Sequence, residues 1–97
     1  MQLLTKEIRG KLPAMGSTSN EKDPMVQAKF FTPDAQWTWF PYEFDGEDIF
    51  FGYVKGIENE LGTFSLRELK ELRGPMGLPI ERDRYFKPCP LSEVMKD

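Results

Sequence analysis

Along the middle of the chain, apolar and polar side chains alternate in four short runs, which are residues 25–31, 36–44, 49–55 and 61–64. Alternation with a period of two is typical of a β-strand. Turn-forming residues separate the runs, among them Pro33 and Asp34 after the first run and Gly46 after the second. Because short connections favour pairing of consecutive strands, this pattern predicts a four-stranded antiparallel meander.

Pro41 interrupts the second run, and a proline has no N–H to donate to a neighbouring strand. It therefore marks either an edge strand or a β-bulge. Simple alternation along this run would place Trp37 and Trp39 on one face of the sheet. The same alternation would place four residues on the opposite face: Thr38, Phe40, Tyr42 and Phe44.

Patterns typical of helices flank the strands. Ser65 and Glu68 have the spacing of a capping box, and a leucine stripe follows, at positions 66, 69 and 72. Gly74 and Pro75 then form a stop signal, so a main helix is expected over residues 65–73, packed on the sheet.

Shorter helical patterns occur near both ends of the chain. Thr5 can cap a helix that ends at Pro13, and residues 91–95 can form a last helical turn. Residues 13–24 are polar without periodicity and are expected to form a mobile surface loop. The sequence predicts an α+β fold in a single domain, residues 1–97, with one main helix and short terminal helical segments.

Composition narrows the class of function. The 97 residues include 39% hydrophobic and 30% charged side chains, which is typical of a folded chain, and the net charge is -3. A net negative chain does not attract phosphate backbones, so no direct binding to free DNA is expected. The longest uncharged apolar run is residues 49–54, against the roughly 18 residues of a membrane span, so a cytoplasmic location without membrane contact is expected.

The inventory of reactive side chains argues against an enzyme. Histidine, the commonest general base and a common metal ligand, is absent, and Cys89 is the single cysteine. Cys89 lies between two prolines, where nothing predicts activation of its thiol. We expect no catalytic residues, no structural metal and no cofactor.

Acidic residues are concentrated between residues 43 and 60, where six acids accompany one base, Lys55, giving a local net charge of -5. Such a stretch has two interpretations: a solubilising surface, which is the commoner case, or a surface that engages a basic groove of a partner protein. The second interpretation makes candidate partner-binding residues of Glu43, Asp45, Glu47, Asp48, Glu58 and Glu60.

Aromatic residues offer a second candidate. Trp37, Trp39 and Tyr42 could form an exposed partner site or a dimer surface. The alternative is that both faces of the sheet are covered, one by the main helix and the other by the N-terminal helix and the proline-rich tail.

Five longer segments resemble those of a known family: KFFTPD at 29–34, WTW at 37–39, EFDGEDIFFG at 43–52, ELGTFSL at 60–66 and RGPMGLPIERD at 73–83. They resemble a family of short bacterial proteins that carry a domain of unknown function and occur on plasmids, phages and integrated elements. They are also similar to anti-CRISPR proteins that inhibit type II effector nucleases.

The resemblance implies a non-enzymatic inhibitor that binds a type II effector nuclease or its guide RNA complex in the bacterial host cell. It supplies no catalytic residues to carry over. Two other functions stay open: an accessory protein-binding module of mobile elements with another partner, and a small enzyme of unknown substrate. The chain is expected to be a monomer or a weak homodimer.

Overall fold

The longest strands of the structure lie in the region where the sequence alternates. The computed structural model describes residues 1–96. Its helices and strands, in chain order, are α1 (Lys6–Lys11), β1 (Met25–Val26), β2 (Phe30–Phe31), β3 (Thr38–Phe44), β4 (Ile49–Lys55), β5 (Asn59–Ser65), α2 (Leu66–Glu71), β6 (Glu81–Arg82), β7 (Cys89–Pro90) and α3 (Leu91–Val94).

The main sheet has the strand order β5-β4-β3-β2-β6, and all of its neighbouring strands are antiparallel. The expected meander is therefore present from β2 to β5, and a fifth strand, β6, extends it beyond the four that were predicted. A separate two-stranded sheet joins β1 to β7. The mixed fold of short helices and antiparallel strands agrees with the α+β expectation.

The first predicted strand, residues 25–31, is wrong as a single element. It divides into β1 and β2, which belong to different sheets. Regular alternation along a single strand would place Val26, Ala28 and Phe30 on one side, but Val26 packs in one hydrophobic core while Ala28 and Phe30 pack in the other. The chain crosses from one face of the main sheet to the other between these residues, and a single flat strand cannot do so.

A bulge in β3 follows the proline. Pro41 pairs with Gly52, yet Glu43 already pairs with Phe51, so the register shifts by one residue between positions 41 and 43. The bulge confirms one of the two expected roles of Pro41. It also reverses the alternation, because Phe44 packs against Phe50 instead of sharing a face with Phe40 and Tyr42 as predicted.

Two hydrophobic cores lie on opposite faces of the sheet. The helix-side core contains ten buried residues: Leu3, Leu4, Ala28, Phe30, Trp39, Phe44, Phe50, Leu66, Leu69 and Ile80. The tail-side core contains five: Val26, Phe40, Tyr42, Tyr53 and Leu91. Both faces are thus covered, but the N-terminal segment covers the same face as α2, and the C-terminal segment covers the other.

The helices begin at the expected caps. The hydroxyl of Thr5 accepts a hydrogen bond from the Ile8 N–H at 3.1 Å, and that of Ser65 accepts from the Glu68 N–H at 3.2 Å. The main helix is shorter than predicted, because it ends at Glu71 and leaves Leu72 exposed. None of the three helices in residues 1–96 has the length and apolar content to cross a lipid bilayer.

The polar loop between Pro13 and Pro24 is held against the sheet, although a mobile loop was expected. Glu43, whose side chain leaves β3 at the bulge, is only 4% exposed. Its carboxylate accepts hydrogen bonds from the Gly16 N–H at 2.7 Å, the Thr18 N–H at 3.0 Å and the Thr18 hydroxyl. A buried charge is tolerated only with such partners, so this carboxylate anchors the loop.

Hydrogen bonding also controls the ionisation of Glu43. Burial alone raises the pKa of Glu43, but the bonds from Thr18 and Gly16 outweigh it and lower the pKa below the ordinary value of 4.5. Because the pKa is lowered in the folded state, the bonds stabilise the fold at pH values above the ordinary pKa of 4.5. That contribution is lost as the pH falls through the lower, folded-state pKa.

Glu43→Gln is therefore expected to lower the free energy of unfolding at neutral pH by about 1–3 kcal/mol, because an amide cannot accept all three bonds. As the pH is lowered from 6 through the folded-state pKa of Glu43, the variant is also expected to lose less stability than wild type. Urea denaturation across a pH series measures both effects. Glu58→Gln, at an exposed position, is the matched control. Equal stability of the two variants would mean that Glu43 does not anchor the loop.

Candidate partner-binding site

The acidic stretch does not form one surface. The turn with Asp45, Glu47 and Asp48 joins β3 to β4 at one end of the sheet, whereas Glu58 and Glu60 lie at the other end, around the turn from β4 to β5. The seven residues of β4 separate the two ends by roughly 20 Å. We call these the acidic end and the tryptophan end, since Trp37 directly precedes β3 at the second.

Two carboxylates at the acidic end hold the backbone together. The Oδ1 atom of Asp45 accepts bonds from the N–H groups of Glu47, Asp48 and Ile49 at 2.8, 2.8 and 3.0 Å. These bonds, first those from Glu47 and Asp48, lower the pKa of Asp45. The arrangement confirms the predicted hairpin turn.

Asp48 links that turn to the start of α2. Its carboxylate accepts bonds from the Ser65 hydroxyl at 2.6 Å and from the Arg67 N–H at 2.8 Å, and these bonds lower the pKa of Asp48. With Glu43, therefore, three of the six candidate acids stabilise the fold. Glu47, Glu58 and Glu60 remain exposed.

The three candidate aromatic residues are divided between the faces. Tyr42 is buried in the tail-side core, with its ring edge-on to Phe51 at 5.5 Å. Burial, and then the charge of Glu43, raise the pKa of Tyr42. Trp37 and Trp39 lie together elsewhere, with their rings stacked at a centroid distance of 6.1 Å and an interplanar angle of 21°.

A cleft of 370 Å³ opens beside the two tryptophans. Its lining comes from the turn before β3, from β3 itself and from the segment after α2, and consists of Thr32, Ala35, Trp37, Trp39, Leu72, Arg73, Gly74 and Pro75. Aromatic and proline side chains of this kind suit an apolar segment of a protein partner.

Hydrogen bonds fix both walls of the cleft. The hydroxyl of Thr32 accepts from the Trp37 N–H at 3.0 Å, and the Thr32 N–H donates to the Trp37 carbonyl at 3.0 Å. Asp34 bridges to the opposite wall, where its Oδ2 atom accepts from the Met76 N–H at 2.8 Å. The two turns are thus joined before any partner arrives.

Close packing restricts the residues at two positions. A Cβ at Gly74 would lie 1.6 Å from the Asp34 carboxylate, and a Cβ at Gly56 would lie 2.3 Å from the ring of Trp37. Both positions therefore require glycine for space. The indole of Trp37 rests on the turn from β4 to β5 and is 38% exposed.

Several apolar side chains at this end were not predicted as site residues. Ile57, next to Gly56, is 91% exposed, and Met76, next to Pro75, is 80% exposed. Leu72 was assigned to the buried face of the helix but lines the cleft instead. Because turns are ordinarily polar, an isoleucine within a turn and a methionine after a Gly-Pro stop are unusual. These two residues are the signals in the sequence that could have predicted the exposed apolar surface.

The remaining candidate for chemistry is Cys89 in β7. Burial first, and then the charges of Glu93 and Asp23, raise the pKa of the Cys89 thiol. A raised pKa keeps the thiol protonated at neutral pH, and the thiolate is the reactive form. The environment of Cys89 therefore opposes nucleophilic chemistry.

Gly74→Ala is expected to lower the free energy of unfolding by about 1–3 kcal/mol, because the methyl group overlaps the Asp34 carboxylate. The cost should be much smaller in the Asp34→Ala background, so that a double-mutant cycle gives a clear coupling energy. Urea denaturation measures each variant. Gly62→Ala is the control, since a Cβ there meets no atom within 4 Å. Strict additivity of the two changes would contradict the packing of Asp34 on Gly74.

Comparison with known proteins places the chain in a family. No curated protein and no solved structure matches it. A family model described as a protein of unknown function, DUF2958, matches residues 3–96. The match includes the bulge of β3, the acidic end and the tryptophan end, and it confirms the resemblance to a family with a domain of unknown function. The chain therefore belongs to the DUF2958 family.

Proposed function

We propose that this protein is a non-enzymatic inhibitor of a type II CRISPR effector nuclease, and that it binds the effector or its guide RNA complex through the tryptophan end. The observation that carries the binding role is the cleft beside Trp37, with exposed Ile57 and Met76 at the same end of the sheet. The identity of the partner rests on the resemblance of five sequence segments to anti-CRISPR proteins.

The electrostatics of the described residues favour binding over catalysis. A general acid needs a carboxyl whose pKa is raised towards neutrality. Asp45, Asp48 and Glu43 have lowered pKa values and are held as anions by backbone and hydroxyl donors. These groups act as structural acceptors, which supports the proposal of a protein without catalytic activity.

The tryptophan end has the chemistry of a protein-binding surface. Tryptophan is enriched among the residues that dominate binding energy, and Trp37 offers its ring from a preformed wall. Arg73, on the rim of the cleft, donates from its guanidinium to the carbonyls of Lys70 and Leu72 at 3.0 and 2.7 Å. The rim is thereby ordered before binding.

Charge at this end suits an effector nuclease. Such enzymes hold nucleic acid in positively charged channels and read the adjacent duplex motif with arginines. Glu58 and Glu60, exposed near the β4–β5 turn, can form charge-assisted bonds with such arginines. Two carboxylates carry little negative charge compared with a DNA duplex. The apolar contacts of the tryptophan end would therefore supply most of the affinity. The proposed inhibitor would act in the cytoplasm of a bacterial host, on behalf of the mobile element that encodes it.

Co-expression with a panel of type II effectors tests the proposal, with survival of a targeted phage or plasmid as the readout. Wild type is expected to restore survival against at least one effector. Trp37→Ala is expected to weaken binding to that effector by about 30-fold, as loss of a central aromatic contact does. Tyr85→Ala, at an exposed aromatic residue outside the tryptophan end, is the matched control.

A pair of charge reversals separates the two ends of the sheet. Glu58→Lys is expected to slow association with the effector at low salt, and Glu47→Lys at the acidic end is expected to leave it unchanged. A stronger effect of Glu47→Lys would move the binding surface to the acidic end. If the protein protects against none of the effectors, the CRISPR partner is rejected, and an accessory module of mobile elements is favoured. Turnover of a small-molecule substrate by this protein would favour the remaining alternative, a small enzyme.

A further inference from the structure

Strand β5 forms one edge of the main sheet, and β4 is its single neighbour in that sheet. It is seven residues long, whereas the opposite edge, β6, has two residues. The register between β4 and β5 runs without a break from Lys55–Asn59 to Ile49–Ser65. A long and regular edge of this kind is a template for another strand.

Two hydrogen bonds identify the main-chain groups that point outward from β5. The Gly56 N–H donates to the Glu58 carbonyl at 3.2 Å, and the Leu66 N–H donates to the Asp48 carbonyl at 2.8 Å. The first bond lies directly beside the pair Lys55–Asn59, and the second lies directly beside the pair Ile49–Ser65. Each bond shows that its neighbouring pair is a non-hydrogen-bonded one. Because the two kinds of pair alternate, the N–H and C=O groups of Asn59, Leu61 and Thr63 face away from β4.

Among residues 1–96, this edge has few of the usual protective devices. Natural edge strands are commonly protected by proline, lysine or a bulge, and β5 has none of the three. Its single charged residue is Glu60, and its Leu61 side chain is 47% exposed. The outward groups of Asn59, Leu61 and Thr63 accept or donate no hydrogen bond to other described residues.

We infer that β5 pairs with β5 of a second copy of this chain, antiparallel about a two-fold axis at Leu61. In this register Leu61 lies opposite Leu61 of the other copy, Asn59 lies opposite Thr63, and Glu60 lies opposite Gly62. The outward groups then form three hydrogen-bonded pairs, each of which exchanges two bonds. The main sheets of the two copies become one continuous sheet.

Charge selects both the occupant and the register. Centring the axis at Asn59 would place Glu60 opposite Glu58, a like-charge pair that destabilises a sheet. Centring it at Leu61 places the one charged residue of β5 opposite a glycine, so the strand is complementary to itself. Centring it at Thr63 would place Leu61 opposite Ser65, the last residue of β5, after which the chain turns into α2.

Side chains on the tail-side face favour the same pairing. A groove of 530 Å³ runs beside the edge, and Met15, Tyr42, Phe51, Leu61 and Thr63 are among its lining residues. A second Leu61 on the axis adds apolar surface next to this groove. The self-pairing uses the β5 edge and not the cleft beside Trp37, and Glu60 is the residue that it shares with the proposed effector surface.

Sedimentation velocity over micromolar to millimolar concentrations tests the pairing on the full chain. Wild type is expected to show a reversible monomer–dimer equilibrium. Gly62→Glu places like charges opposite each other twice in each dimer and should raise the dissociation constant about tenfold. The position tolerates a side chain, because a Cβ there meets nothing within 4 Å.

A second substitution makes the test specific to the register. Glu60→Lys combined with Gly62→Glu places opposite charges face to face and should restore the dimer. Gly10→Glu, in the exposed α1 helix, adds the same charge away from β5 and should leave the dimer unchanged. Circular dichroism confirms that each variant is folded.

Three results would each overturn the inference. The first is a monomer at every concentration, which would leave the edge to another partner. The second is equal weakening by Gly62→Glu and Gly10→Glu, which would show only the effect of net charge. The third is no recovery in the doubly substituted chain.

Discussion

The bulge that follows Pro41 in β3 is the constraint on which the rest of this structure depends. Pro41 has no N–H to donate, and its carbonyl accepts from the Gln27 N–H at 3.1 Å on the side of β3 that faces away from β4. Between Pro41 and Glu43 the register to β4 shifts by one residue. One extra residue reverses the alternation of side chains beyond it. Phe44 therefore enters the helix-side core, where its ring lies 4.7 Å from that of Phe50, and Glu43 reaches the loop of Gly16 and Thr18.

Charged and apolar side chains have different roles at the two ends of the sheet. At the acidic end the charged groups are used in folding: Asp45 orders the turn, Asp48 supports the start of α2, and Arg9 lies over the ring of Phe44 at 5.3 Å. At the tryptophan end two short turns, tied together by Asp34, hold an indole against Gly56. The tryptophan end presents ordered apolar surface beside a cleft, which is why the binding proposal is placed there.

Local signals in the sequence predicted local structure well. The caps at Thr5 and Ser65 and the turn at Asp45 depend on contacts within a few residues, so spacing alone was sufficient to predict them. The split of residues 25–31 depends on two cores that are built from distant parts of the chain, such as Leu3 and Leu91. No local alternation contains that information, and the same is true of the face on which Phe44 lies.

The candidate site was predicted only in part, for a similar reason. Trp37 and Trp39 are two residues apart and were expected to share a face, which their stacked rings confirm. The acids from Glu43 to Glu60 are close in sequence, but the seven residues of β4 separate them into two groups at opposite ends of the sheet. The other wall of the cleft, with Leu72 and Pro75, comes from beyond α2 and could not be assigned without the fold.

Ring contacts of Phe44 in solution test this account most directly. Nuclear Overhauser effects from the assigned Phe44 ring should connect it to Phe50 in the helix-side core and to Arg9, whose guanidinium lies over the ring. Contacts from that ring to Phe40 and Tyr42 would instead mean that β3 alternates regularly. There would then be no bulge, and the anchoring of Glu43 and the division of the two cores would both be contradicted.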